Sequence, residues 1–131
     1  MKKTPLLHPD LSDAIARLGH GDMLVIADAG LPIPDGPRRI DLAVTPGLPG
    51  LDAVLEVVLG EMQAEYATIA SELGDRNPVV AQQVAQRLGG LAIRQLDHEQ
   101  FKQLTRAARV IVRTGECTPY ANVILHAGVV F

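Results

Sequence analysis

The sequence is poor in aromatic residues: its 131 residues include no Trp, two Phe and two Tyr. Hydrophobic residues nevertheless make up 47% of the chain, which argues against disorder. The core must therefore be built from Val, Ile, Leu and Ala. A chain of this length buries about two-thirds of its unfolded surface, so we expect one domain over residues 1–131.

The sequence also lacks an excess of positive charge and long apolar runs. Twelve Lys and Arg against fifteen Asp and Glu give a net charge of −3, and no basic stripe offers nucleic acid a surface. Apolar stretches such as residues 23–27 are too short to span a bilayer, and the first residues carry no signal-peptide pattern. We therefore expect no nucleic-acid partner, no membrane segment and no signal peptide.

Only one cysteine, Cys117, is present, which excludes an internal disulfide and predicts a reducing, cytoplasmic compartment. One cysteine cannot build a structural metal site, and no two histidines have zinc-ligand spacing. The sequence contains no phosphate-binding P-loop, no G-x-G-x-x-G motif and no nucleophile elbow. We expect a protein without metal or organic cofactor that transfers protons on a hydrogen-bonded substrate.

Apolar periodicity alternates between helical and strand spacing, which predicts an α/β fold with helices around a central sheet. Asp10 is predicted to cap a first helix that ends just before His20. Asn77 is predicted to cap a helix over residues 77–88, and Asp97 to cap the helix that follows it. A further helix is predicted over residues 51–59, and strands over 22–28, 40–44, 91–96, 110–113 and 122–127. Residues 65–70 fit either a strand or a helix, and the order of the strands cannot be read.

Three polar clusters lie where predicted elements end, and the first surrounds His20. Gly19 and Gly21 flank this histidine between a helix and a buried strand, which leaves the imidazole unshielded. Imidazole gives and takes protons near neutral pH, so His20 is a candidate acid–base group. A loop histidine without a role is an equally good interpretation of these residues alone.

The second cluster is centred on Asp28, which ends the apolar strand and precedes a Pro- and Gly-rich loop. Ligands of α/β proteins gather beyond the carboxyl ends of strands, and a carboxylate accepts hydrogen bonds from sugar hydroxyls. The common alternative is a carboxylate that binds the amides of its own loop.

The third cluster is the segment GECTPYAN at 115–122, which joins two apolar strands. Tyr120 and Asn122 together offer donors and acceptors suited to polyols, although an ordinary tight connection would use the same residues. His98 lies in the first turn of its helix, where a neutral, hydrogen-bonding imidazole is favoured, and the alternative is an exposed histidine. The remaining candidates are interpreted as surface, strand and packing residues: His8, His126 and Cys117, respectively.

Five blocks of sequence carry a further signal: RLGH at 17–20, DAGLPIP at 28–34, RIDLA at 39–43, HEQFK at 98–102 and GECTPYAN at 115–122. Together they resemble the D-ribose pyranase family, which is related to the L-fucose mutarotases. The blocks run from near the N-terminus to the last predicted strand, so the resemblance covers essentially the whole chain. The second and fifth blocks are the most specific, and residues 72–91 match least.

The resemblance implies that His20 is the catalytic proton donor. It also implies a set of substrate-binding residues, the alanine acting through its main chain: Asp28, His98, Tyr120, Ala121 and Asn122. It further implies an enzyme without metal or cofactor and a ring-like homo-oligomer, often a decamer of two pentamers. Its binding sites would lie between neighbouring subunits.

The activity that the resemblance implies is the interconversion of the pyranose and furanose forms of free D-ribose by ring opening and reclosure. His20 would protonate the ring oxygen, and which residue takes the anomeric proton is not decided by the sequence. Three alternatives stay open: a mutarotase acting on another monosaccharide such as L-fucose, a non-catalytic sugar-binding module, and a histidine phosphocarrier. The phosphocarrier would use His20 as well, but the net charge of −3 does not favour the basic docking surface it needs.

Overall fold

A sheet of six strands forms the centre of the computed structural model, which describes all 131 residues. The strands are β1 (Met23–Ala27), β2 (Arg38–Asp41), β3 (Ala64–Ala70), β4 (Ala92–Leu96), β5 (Val110–Arg113) and β6 (Val123–Ala127). The helices are α1 (Pro9–Ala16), α2 (Leu51–Glu61), α3 (Glu72–Arg76), α4 (Pro78–Leu88) and α5 (His98–Thr105). None of these helices combines the length and the hydropathy that a membrane span requires.

The strands lie in the order β2-β5-β1-β6-β3-β4. Strand β5 is parallel to both β1 and β2, and β3 is parallel to β4. Only β6 runs the other way, because it is antiparallel to both of its neighbours, β1 and β3. The start of β6 therefore lies at the edge where the other five strands end. We call this edge the carboxyl edge and the opposite one the amino edge.

The two central strands β1 and β6 are buried along their whole length, because helices cover both faces of the sheet there. On one face, α1, α2 and α4 pack on a core that includes Leu24, Ile26 and Leu125. On the other face, α5 places Phe101 against Val25. Full burial of an aliphatic or aromatic side chain of this size stabilises the fold by roughly 1.5–3 kcal/mol.

The α/β fold with a central sheet is confirmed, and residues 65–70, which the sequence left undecided, form most of β3. The strand predicted over 40–44 has different bounds, because β2 spans Arg38–Asp41. Its pairing with β5 begins at Arg38 and ends at Asp41, so the neighbouring strand sets its length.

The prediction for the first helix is wrong at both ends. His8 is the N-cap: its Nδ1 accepts a hydrogen bond from the Leu11 N–H at 3.3 Å. Pro9 takes the first helical position, which suits proline because that position needs no N–H donor. Asp10 instead accepts a hydrogen bond from Arg38 at 3.0 Å. The helix ends at Ala16, well before His20.

One helix was not predicted, the strand position of His126 is confirmed, and the interpretation of Cys117 is corrected. The five-residue helix α3 was not predicted, because one turn is too short to show a helical period. His126 is buried as well as being in a strand: its Nε2 lies 3.0 Å from Thr68 Oγ1, and its ring stacks on Tyr66 at 3.9 Å. Cys117 is exposed rather than packed.

Candidate functional site

Four of the predicted site residues lie together at the carboxyl edge. Asp28 directly follows β1, His98 begins α5 just after β4, and Asn122 directly precedes β6. Tyr120 lies two residues earlier on the loop that leads into β6. The antiparallel β6 is what brings this loop to the edge where β1 and β4 end.

Asp28 and Asn122 are joined by a reciprocal pair of hydrogen bonds. The Asp28 N–H donates to Asn122 Oδ1 at 2.8 Å, and Asn122 Nδ2 donates to Asp28 Oδ2 at 2.9 Å. The other carboxylate oxygen, Oδ1, accepts a hydrogen bond from the Gly30 N–H at 2.9 Å. Asp28 therefore also binds an amide of its own loop, which is the alternative role that the sequence left open. Since Asn122 is fully buried, it fixes a half-buried carboxylate in one orientation.

His98 and Tyr120 form the second pair. Their ring centroids lie 5.1 Å apart at an interplanar angle of 85°, and Phe101 stacks on the imidazole at 6.3 Å. The Nδ1 atom of His98 is buried and has no hydrogen-bond partner, so Nε2 is the ring nitrogen available to a ligand. Tyr120 is the only residue other than glycine with a positive φ, +58°.

Ala121 lies between Tyr120 and Asn122 in the chain and is fully buried, main chain included. A cleft of about 510 Å³ opens beside Asp28 and is lined further by Ala29, Gly30 and residues 116–119. The rings of His98 and Tyr120 do not line this cleft. One chain therefore holds the polar cluster without enclosing it.

His20 lies at the amino edge, away from the other predicted site residues. It precedes β1 whereas Asp28 follows it, and the five residues of β1 alone span roughly 16 Å. Its side chain is 60% exposed, and its Nε2 lies 3.2 Å from Glu65 Oε2. A single chain thus does not bring His20 to the carboxyl-edge residues.

The loop that carries His20 is held in place by Asp22. Asp22 Oδ2 accepts from the Gly19 N–H at 2.9 Å, and Oδ1 accepts from Arg109 Nε at 2.9 Å. These hydrogen bonds, from Gly19 first and then from Arg109, hold the pKa of Asp22 below its ordinary value. Gly21, at a φ of +83°, makes the turn that only glycine adopts easily, and its N–H donates to the Ala127 carbonyl at 2.8 Å.

Two residues in the stretch 72–91 contact this region, although the sequence placed no functional block there. Glu72 Oε1 accepts from the His98 N–H at 3.1 Å. Asn77 Nδ2 donates to Thr118 Oγ1 at 2.8 Å and to the Pro119 carbonyl at 2.9 Å. The sequence predicts Asn77 only as a helix cap, and it gives no sign of the contact with residues 118 and 119. No group of three or more His, Cys, Asp or Glu side chains is arranged to hold a metal ion.

The mixed sheet and the hydrogen-bonding cluster at its carboxyl edge define a small α/β protein with a polar ligand site. The chain matches the RbsD / FucU transport protein family over residues 1–130, and it belongs to that family. The resemblance seen in the five sequence blocks is thereby confirmed.

Curated relatives match over the full length of both chains. The chain is 63% identical over 131 residues to a D-ribose pyranase of Paracidovorax citrulli and 53% identical over 131 residues to one of Symbiobacterium thermophilum. Among solved structures, RbsD of Bacillus subtilis complexed with D-ribose has a TM-score of 0.97 and 46% identity, with 100% of both chains covered. A fucose mutarotase of Streptococcus pneumoniae in complex with L-fucose has a TM-score of 0.84 and 29% identity, also over 100% of both chains.

Proposed function

We propose that this protein is a D-ribose pyranase, a cofactor-free isomerase that interconverts the pyranose and furanose forms of free D-ribose. The observation that carries the proposal is the full-length similarity to RbsD complexed with D-ribose, at a TM-score of 0.97. The D-ribose pyranases that are 53–63% identical to the chain support the same activity.

The reaction needs acid–base catalysis and no redox step. A pyranose opens when its ring oxygen gains a proton and its anomeric hydroxyl loses one, which gives the open-chain aldehyde. Reclosure through a different hydroxyl reverses both proton transfers and gives the furanose. General acid–base catalysis contributes about 10²–10⁴-fold, or roughly 3–5 kcal/mol of the barrier, which suffices for a reaction that also proceeds in water.

In this proposal, His20 protonates the ring oxygen and the carboxyl-edge residues orient the sugar. The carboxylate of Asp28, fixed by Asn122, accepts hydrogen bonds from sugar hydroxyls. His98 Nε2 and the Tyr120 hydroxyl bind further hydroxyls. The family resemblance adds the main chain of Ala121 to this set.

The separation of His20 from the carboxyl edge is resolved if each site is shared between two subunits. We propose a ring-like homo-oligomer in which His20 of one subunit completes the carboxyl-edge cluster of its neighbour. A contact between two different edges of the sheet is heterologous, and such contacts close into rings when the rotation between subunits allows it. A decamer of two pentamers and a cytoplasmic location are the finer forms of the proposal.

The test is ring exchange of D-ribose, followed by NMR saturation transfer from a pyranose anomeric signal to the furanose signals. The protein is expected to accelerate the transfer, and His20→Ala is expected to lower turnover by about 10²–10⁴-fold while ribose still binds. His8→Asn is the matched control, because it removes another imidazole and keeps a good helix cap. Exchange at the spontaneous rate in the presence of bound ribose would make the protein a sugar-binding module.

The same assay run with L-fucose tests the second candidate, a mutarotase acting on another sugar, which the similarity to a fucose mutarotase favours. Acceleration of fucose exchange without acceleration of ribose exchange would replace the pyranase proposal. The higher identity to the ribose-bound relative, 46% against 29%, predicts the opposite preference.

A further inference from the structure

The short helix α3 and the residue after it contact both halves of the His98–Tyr120 pair. Glu72, the first residue of α3, accepts a hydrogen bond from the His98 N–H at 3.1 Å. Asn77, which follows the last residue of α3, donates two hydrogen bonds to residues 118 and 119, immediately before Tyr120. A single helical turn therefore links the two segments that carry the rings.

The Asn77 side chain is used for the loop rather than for its own helix. It stands at the N-cap position of α4, where an Asn side chain ordinarily accepts from the first helical amides, but it makes no capping hydrogen bond. The Pro119 carbonyl can only accept, so the amide must turn its Nδ2 toward the loop. Asn77 thus makes a hydrogen bond across the fold in place of the capping hydrogen bond that is usual at its position. Such departures from local preference are typical of functional regions.

The loop that Asn77 holds contains a strained residue. Tyr120 has a φ of +58°, a conformation that costs a side-chain-bearing residue about 1 kcal/mol or more and persists only where its surroundings enforce it. Those surroundings are a connected set of hydrogen bonds. Thr118 Oγ1 accepts from Asn77 and donates to Glu116 Oε1 at 2.7 Å, while the Asn122 N–H donates to the Tyr120 carbonyl at 2.9 Å.

Glu72 fixes the other ring through the main chain. Its Oε1 accepts from one of the first amides of α5, an end that Asp97 also caps by accepting from the Gln100 N–H at 2.8 Å. Its second oxygen, Oε2, is buried and makes no hydrogen bond within the chain, which is unfavourable for stability.

We propose that Glu72 and Asn77 are positioning residues of the sugar site, and that α3 sets the distance between His98 and Tyr120. The inference rests on the proposed function in one respect, since it takes this pair of rings to bind the sugar. Neither residue touches the sugar; each acts by fixing the segment that carries a binding group.

The test compares KM and kcat for D-ribose ring exchange in variants of Asn77 and of its partner. Asn77→Asp keeps the shape and removes both donors, and Thr118→Val removes the hydroxyl that Asn77 contacts, whereas Thr118→Ser is the matched control that keeps it. Loss of such a hydrogen bond is expected to raise KM about tenfold in the first two variants, with kcat nearly unchanged. Glu72→Gln, which keeps an acceptor for the His98 N–H, is expected to change KM less than Glu72→Ala.

Hydrogen exchange of the Asn122 amide is the second readout. It is expected to speed up in Asn77→Asp and Thr118→Val while amides of β1 keep their protection, because only the loop is loosened. Unchanged KM in variants that merely melt earlier would overturn the proposal and leave α3 a structural element. If the unmodified protein does not accelerate the ring exchange of ribose, the proposed function fails. Hydrogen exchange of the Asn122 amide still decides in that case whether Asn77 holds the loop. Since Thr118 is exposed, its Val and Ser variants keep the test open even if Asn77→Asp does not fold.

Discussion

Asn122 shows how much of the site depends on one side chain of defined polarity. It is fully buried, and its amide matches Asp28 in both directions, as an acceptor for the main chain and as a donor to the carboxylate. A carboxylate at the same position would lose the donor and set a buried negative charge against Asp28. The identity of residue 122 therefore matters for stability as well as for the orientation of Asp28.

Asn122→Asp is expected to lower the free energy of unfolding at pH 7 by roughly 3 kcal/mol or more, because it leaves two facing carboxylates with no proton donor between them. The measurement is urea unfolding. The matched control adds Asp28→Asn, which swaps the pair and restores one carboxylate facing one amide, so the double variant is expected to regain most of the loss. A single variant as stable as the natural protein would contradict this account of the pair.

At the scale of elements, β3, β4 and β6 meet around His126. The pKa of His126 is lowered, first by burial and second by the positive charge of Arg94. The negative charge of Glu65 has a smaller effect in the opposite direction. Arg94 on β4 lies 3.8 Å from the ring centre of Tyr66, which in turn stacks on His126. The three strands are thus joined by a stack in which the charged form of the imidazole is disfavoured.

The consequence is a loss of stability in mild acid. Because the folded-state pKa of His126 lies below the unfolded value of about 6.5, the unfolded chain binds the proton first as the pH falls. The contribution of His126 is therefore complete above about pH 6.5 and is lost as the pH drops below it. His126→Gln is expected to flatten the stability curve between about pH 7.5 and 5.5, measured by urea unfolding at matched pH values. An equally steep curve in the variant would show that other groups cause the dependence.

The elements that the sequence predicted best are those with a strong local pattern. Strand β1 is a continuous apolar run and β6 is apolar except for His126, as expected of strands covered on both faces. Asp97 caps α5 with the hydrogen bond expected of it. Helix α3 carries no such pattern, and it was missed although it contacts the loops of the site. Local signals thus identify elements that are long or well capped, and they fail on short elements fixed by distant contacts.

The residues of the candidate site could be proposed from the sequence, but their arrangement in space could not. Asp28, His98, Tyr120 and Asn122 were recognised at the ends of elements and through the family resemblance. Their convergence depends on the antiparallel placement of β6 between β1 and β3, which no local pattern encodes. The separation of His20 from Asp28 was already implied by the sequence, because the two residues lie before and after the same predicted strand.

At the scale of the whole molecule, the proposed ribose site is shared between copies of the chain. His20 at the amino edge and His98 at the carboxyl edge lie too far apart to act on one sugar within a single subunit. An oligomer in which the amino edge of one subunit meets the carboxyl edge of the next supplies both to one site. A subunit defective at one edge should then be rescued by a subunit defective at the other.

A shared site is tested by complementation between two variants, His20→Ala and His98→Ala. The two proteins are unfolded in urea, mixed in equal amounts and refolded together. The mixture is then assayed for ring exchange of ribose by saturation transfer. Random assembly gives about one site in four with both histidines intact, so the mixture is expected to reach about a quarter of the natural activity. Each variant refolded alone is the control and is expected to stay far below that value. Activity of the mixture equal to the mean of the two separate variants would contradict a site shared between subunits and require His20 to act within its own chain or not at all.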